Sequence, residues 1–363
     1  MTKTASASKK TIDPKDSKKS MPSKTTKTAK KTQKSSTEKA QEKAIAVKKA
    51  PKSAASKTPT KKALTEKAPA KKPAMKKALN EKVSVSKAPT KKATKSSKTQ
   101  KEEISPSPTL GLYSKALEVH LAGKLQDAWL LYQEVLKVDP QHFDTVHSMG
   151  LIAAQIGNFD LAYKLLAQAL SINPLSPQAH NNLGNVLGSM GKKAEAFAYY
   201  EKAIALLPQY PDALNNKGIL LHGLRKLNEA VESYRQAIAL NPKFLGALFN
   251  LGNALVELGE LLPAIQSYDR VIELNPNHAF ALNNRGVLLR GQKQLDLAIQ
   301  NFDRAIAAEP KYADAYNNRG YALIDQGRHD EALNSFEMAL KMKPDYQSAQ
   351  DGKALVMSKK PSI

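Results

Sequence analysis

Beyond about residue 108 the apolar positions follow a helical rhythm, and the rhythm recurs. Between Pro177 and Tyr210, residues Leu183, Val186 and Leu187 mark one face at i, i+3, i+4 spacing. After a break at Gly191-Lys192, residues Ala196, Tyr200 and Ala203 mark a second. The spacing predicts two helices, A over about 178–190 and B over about 194–206. Helix B ends ahead of Pro208, which cannot continue it.

Four series hold this pattern in phase at 34-residue intervals. Prolines stand at Pro140, Pro174, Pro208, Pro242, Pro276, Pro310 and Pro344. Alanines stand at Ala128, Ala162, Ala196, Ala230, Ala264, Ala298 and Ala332. A bulky series runs Tyr132, Leu166, Tyr200, Tyr234, Tyr268, Phe302, Phe336, and a small one Ala116, Gly150, Gly184, Gly218, Gly252, Gly286, Gly320. Glycine inside a helix costs about 1 kcal/mol against alanine. Gly184 therefore needs a compensating contact, and the small pair Gly184 and Ala196 is expected to let helices A and B approach closely. The units are 109–142, 143–176, 177–210, 211–244, 245–278, 279–312 and 313–346, preceded by a linker at 104–108. Unit one departs at Ala116 and Val135, as a terminal unit meeting water does. Residues 346–359 repeat the helix-A pattern loosely at Ala349, Ala354 and Leu355, so 347–363 is read as a capping helix and C-terminus closing a complete array.

These series resemble the tetratricopeptide repeat family across residues 109–346. The resemblance implies an all-α, right-handed superhelical solenoid of seven helix-turn-helix units, with helix A of each unit lining the concave face. The sixth place of the units reads Ser114, Ser148, Asn182, Asn216, Asn250, Asn284, Asn318. The fifth adds Asn181, Asn215, Asn283 and Asn317, with His147 and Phe249 in other units. A row of neutral amides suits the alternating N–H and C=O of an extended peptide. It suits equally a structural bond to the backbone of the neighbouring unit. The run Ala179-His-Asn-Asn-Leu-Gly-Asn-Val-Leu187 is similar to the repeat half of O-linked N-acetylglucosamine transferases, whose asparagine ladder grips substrate peptides. Their catalytic half has no counterpart in this sequence.

Charge divides the chain in two. Residues 1–103 hold 31 Lys, no Arg and 8 acidic residues, which accounts for the whole formal charge of +23. The remaining residues balance at 25 basic against 25 acidic. The first segment is built from Lys, Ala, Ser, Thr and Pro with no aromatic residue or glycine, a composition that cannot offset the entropy of ordering. It is expected to be disordered. In composition it resembles the tails of linker histones and bacterial histone-like proteins. The lysine pairs Lys61-Lys62, Lys71-Lys72, Lys76-Lys77 and Lys91-Lys92 suit phosphates without reading bases. A solubilising spacer and an anionic membrane surface are the other readings.

Other chemistry is thin. With no cysteine there is neither a disulfide nor a thiolate site. No apolar run reaches the 18 or more residues of a membrane span, and the N-terminus lacks the apolar core of a secretory signal. Gly184 to Lys193 departs from a phosphate loop at Val186 and Lys193. The histidines are dispersed; His120, His147 and His222 are expected to face the groove without forming a metal site. Groove charges (Asp144, Asp212, Glu257, Arg290, Asp314, Asp325) do not form the Lys/Arg clamp that holds acidic C-termini. The expectation is a cytoplasmic, non-enzymatic adaptor without cofactor or metal, holding a protein segment in its groove. Its tail would tether nucleic acid, giving a nucleoid or chromatin association, or another polyanion. The alternative is a substrate-presenting accessory subunit of a separate protein O-glycosyltransferase.

Overall fold

The computed structural model describes residues 108–359. Among them are fifteen α-helices in sequential pairs: α1 (Pro108–Leu121) with α2 (Leu125–Val138), α3 (Phe143–Gln155) with α4 (Phe159–Ile172), α5 (Pro177–Ser189) with α6 (Lys193–Leu206), and α7 (Pro211–Gly223) with α8 (Leu227–Leu240). The series continues with α9 (Leu245–Leu258) and α10 (Leu261–Leu274), α11 (Ala279–Gly291) and α12 (Leu295–Ala308), α13 (Ala313–Asp325) and α14 (His329–Met342), and closes with α15 (Gln347–Lys359). Each odd helix packs on the even helix that follows it, and each even helix on the next odd one. Odd helices also touch their odd neighbours (α3 with α5, α5 with α7, α7 with α9, α11 with α13), so they crowd the inner side of the stack. Among the described residues, no helix is long and apolar enough to cross a membrane.

The turn inside each pair demands left-handed backbone. Gly123, Gly157, Gly191, Gly259 and Gly327 hold it with φ of 75 to 81°. Two units place side chains there instead, Arg225 (φ 63°) and Lys293 (φ 64°). The Cβ–carbonyl crowding of that region disfavours both.

The core explains the glycine series, with one correction. Ala196 is buried, but the atom that requires Gly184 to lack a Cβ is in the ring of Tyr200: a methyl there would lie 2.7 Å from Cε1. The same holds for Gly218 under Tyr234 (2.6 Å), Gly252 under Tyr268 (2.6 Å) and Gly286 under Phe302 (2.7 Å). The small and bulky series are thus one interlocking contact, repeated along the stack. Tyr132, Tyr234, Tyr268, Phe302 and Phe336 are fully buried. A buried ring of the size of Phe302 contributes about 1.5–3 kcal/mol, more than the helix penalty of the glycine beneath it.

Neighbouring units are also clipped by side chains sixteen residues apart. Lys217–Glu201 (2.7 Å), Arg285–Asp269 (2.5 Å), Arg319–Asp303 (2.6 Å) and Lys353–Glu337 (2.9 Å) each join an A helix to the preceding B helix. Partly exposed pairs of this kind are worth about 0–1 kcal/mol, so they set register more than stability. On α15, Ala349 and Val356 are buried while Leu355 and Met357 are exposed, so one face closes the core and the other meets solvent.

Candidate functional site

The asparagines at the fifth and sixth places lie on the A helices, and the structure gives the two places different surroundings. Asn181, Asn215, Asn283 and Asn317 are buried. Asn182, Asn216, Asn250, Asn284 and Asn318 are half-buried. The two rows bond across unit boundaries, side chain to side chain. Asn216 Nδ2 donates to Asn181 Oδ1 (3.0 Å), Asn250 Nδ2 to Asn215 Oδ1 (3.1 Å), and Asn318 Nδ2 to Asn283 Oδ1 (2.9 Å). Asn182 Nδ2 reaches His147 Nε2 (2.9 Å). Phe249 leaves Asn284 no fifth-place amide, so it turns to Asn253 Oδ1 (3.1 Å). Asn283 and Asn317 donate back to the Oδ1 of Asn284 and Asn318 (3.2 and 3.4 Å). The Oδ1 atoms of Asn182, Asn216 and Asn250 keep no protein partner in this network.

A second row went unnoticed in the sequence although it has the same 34-residue spacing. His142, Ser176, Tyr210, Phe244, His278 and Tyr312 are the N-cap residues of α3, α5, α7, α9, α11 and α13. Two of their rings meet fifth-place rings: His142 with Tyr113 at 5.0 Å and His278 with Phe249 at 5.1 Å between centroids. Phe280 joins at 5.0 Å from Tyr312 and is half exposed. Burial, and then the Asp212 carboxylate, push the Tyr210 hydroxyl up.

The three histidines expected at the groove, His120, His147 and His222, all have side-chain partners. His120 Nδ1 lies 3.2 Å from the Tyr132 hydroxyl and His147 pairs with Asn182. His222 Nε2 lies 2.9 Å from Glu257, which also holds Arg225. Arg290 binds Asp325 at 2.7 Å in the same register two units on. Burial holds His120 and His147 below the ordinary imidazole value. Among the described residues no group of three or more His, Asp or Glu side chains could hold a metal ion. The lysines Lys61, Lys62, Lys71, Lys72, Lys76, Lys77, Lys91 and Lys92 lie outside the described residues.

Models of the tetratricopeptide repeat match residues 177–210, 246–278 and 283–346 in phase with the helix pairs, and residues 199–232 and 226–259 across the junctions between them. The described array is a tetratricopeptide repeat solenoid. Solved structures share the fold. PilF of Pseudomonas aeruginosa is similar at 23% identity and a TM-score of 0.54, over 59% of this chain and 97% of its own. The C-terminal part of a TPR repeat-containing protein from Cytophaga hutchinsonii is similar at 17% identity and a TM-score of 0.53, over 66% of this chain and 98% of its own. YrrB, described as a TPR protein with an unusual peptide-binding site, is 25% identical with a TM-score of 0.47, over 53% of this chain and all of its own. No curated protein matches the chain. In the tetratricopeptide frame, the sixth-place amides occupy the inner helices of five successive units, Asn182 to Asn318.

Proposed function

We propose that this protein is a non-enzymatic scaffold that holds an extended protein segment along the inner face of its repeats, while residues 1–103 tether it to nucleic acid or another polyanion. Solenoids of this kind present long inner surfaces suited to such ligands. The observation that carries the reading is the oriented amide row. The sixth-place side chains are fixed by bonds to the preceding unit and keep carbonyl oxygens available, so little rotamer entropy remains to be lost on binding. The fifth-place asparagines act beneath them as supports. The likeness of Ala179–Leu187 to the repeat half of O-linked N-acetylglucosamine transferases favours a second reading, a substrate-presenting subunit for a separate glycosyltransferase, which uses the same groove.

A random peptide library selected on the full chain tests the proposal. Selected peptides should lose about tenfold or more in affinity for N182A/N216A/N250A, since each lost bond is worth about 0.5–1.5 kcal/mol. The back-helix variant E232A/Q236A should bind as the parent does, because those side chains are exposed and bond only to each other. Peptides that bind both variants equally well would place the ligand elsewhere. Circular dichroism guards against misreading a fold defect, because N216A and N250A leave the buried Oδ1 of Asn181 and Asn215 unpaired.

A further inference from the structure

Resting on that reading and narrowing it, we propose that the groove takes a lysine-bearing extended segment of a partner protein. The second, fifth, sixth, ninth, twelfth and thirteenth places of helix A fall on one helical face, at steps of three and four residues. Contacts between successive units mark that face as the inner one: the amide row at places five and six, and the cross-unit pairs His222–Glu257 and Arg290–Asp325 at places twelve and thirteen. Over seven units these places hold Asp144, Asp212, Glu257, Asp314 and Asp325 against a single Arg290 and no lysine. Residues 104–363 balance at 25 basic against 25 acidic, so apart from Arg290 their cations lie at other places.

Two of the five carboxylates are already compensated, Glu257 by Arg225 and Asp325 by Arg290. Asp144, Asp212 and Asp314 have no cationic partner among the described residues. Asp144 and Asp212 are exposed; Asp314 is half-buried and accepts a hydrogen bond from the Tyr346 hydroxyl at 2.6 Å. All three stand beside aromatic rings. Asp212 lies close enough to act on Tyr210, Asp314 on Tyr312 and Tyr346, and Asp144 on Tyr113 and His147. A carboxylate next to a ring face suits an ammonium group, drawn by charge from one side and by the ring quadrupole from the other. One ring of this row already receives one: the Lys343 ammonium lies 4.5 Å from the Tyr346 centroid. The amide row adds to the bias. One N–H of each of Asn182, Asn216 and Asn250 is spent across the unit boundary, whereas the oxygens remain as acceptors. Acceptors, uncompensated carboxylates and ring faces together call for a ligand rich in cationic donors. The carboxylates recur at units two, four and seven, so engaging more than one of them requires an extended chain.

The full-length protein is titrated by fluorescence anisotropy with a labelled synthetic peptide of repeated Lys-Ala-Thr triplets, a sequence foreign to this chain, and with its analogue in which every lysine is glutamine. The lysine peptide should bind about tenfold more tightly or better at low salt, and D144N/D212N/D314N should erase most of that advantage. D144N/D212N alone, at exposed positions, should erase part of it with an unchanged circular dichroism melt. Equal binding of the two peptides, or a lysine preference that survives the triple substitution, overturns the charge assignment. If the glutamine analogue binds as tightly as the lysine peptide and is lost in N216A/N250A, the charge assignment falls while the peptide groove stands. If neither peptide responds to N216A/N250A, the groove reading falls as well.

Discussion

The hydroxyl of Tyr234 is the sharpest test of the packing. Three tyrosines of the bulky series at comparable depth differ in what their hydroxyls meet. Tyr200 donates to Asn185 Oδ1 at 2.8 Å and Tyr268 to Asn253 Oδ1 at 2.7 Å, both at the ninth place of helix A. Unit four carries Ile219 at that place, and the fully buried Tyr234 hydroxyl has no protein partner. Burial pushes this hydroxyl up, as expected of an oxygen shut away from water. An unpaired buried polar group costs about 1–3 kcal/mol, whereas a made hydrogen bond contributes about 0.5–1.5 kcal/mol. Tyr234→Phe should therefore stabilise the array by about 1 kcal/mol after the loss of the oxygen's packing contacts, while Tyr200→Phe should destabilise it by about 0.5–1.5 kcal/mol. Unit six already shows the product of the change, with Phe302 over Gly286 and Val287 at the ninth place. Ile219→Asn in the parent should restore a partner, and the cycle with Tyr234→Phe should show a coupling of about 1 kcal/mol. Urea melts followed by circular dichroism read the parent and the four variants. Destabilisation by Tyr234→Phe as large as that by Tyr200→Phe would refute the reasoning.

Other expectations follow from single features. Lys293→Gly should raise stability by about 0.5–1 kcal/mol, because relief at φ 64° exceeds the added unfolded-state entropy; a lowered urea midpoint would contradict it. Acid should weaken the fold. His147 is held below its ordinary value by burial, partly offset by Asp144, and its Nε2 must be unprotonated to accept from Asn182; burial likewise holds His120 and His278 down. The unfolded imidazoles bind protons below about pH 6.5 where the folded ones do not, so stability should be full at neutral pH and fall toward pH 5. A His147→Asn variant should lose part of that dependence, and a melt that does not change between pH 7 and 5 would exclude this account. If residues 1–103 engage about 6–10 phosphates of duplex DNA, affinity of the full chain should drop by about 10³–10⁵ between 50 and 200 mM salt, irrespective of sequence. Salt-insensitive or sequence-selective binding would argue against counterion release.

Much of this molecule is written in its 34-residue spacing, because the contacts that define a unit join residues within one short hairpin. Helices α5 and α6 lie within a residue of the positions expected from Leu183, Val186, Leu187 and Tyr200, since apolar periodicity, a turn glycine and a following proline act locally. The closing helix was legible for the same reason. What tertiary structure decided lies in distances that the spacing does not encode. That Gly184 makes room for the Tyr200 ring and not for Ala196 depends on how deeply helix B seats against helix A. That Asn216 bonds to the Asn181 side chain, and not to a neighbouring backbone, depends on the rotation between successive units, which brings residues 35 apart into contact. The same rotation buries the fifth-place amides and leaves the sixth-place ones half open. A residue's identity and period place it on a helix face; only the packing of one unit on the next determines whether that face supports the groove or lines it.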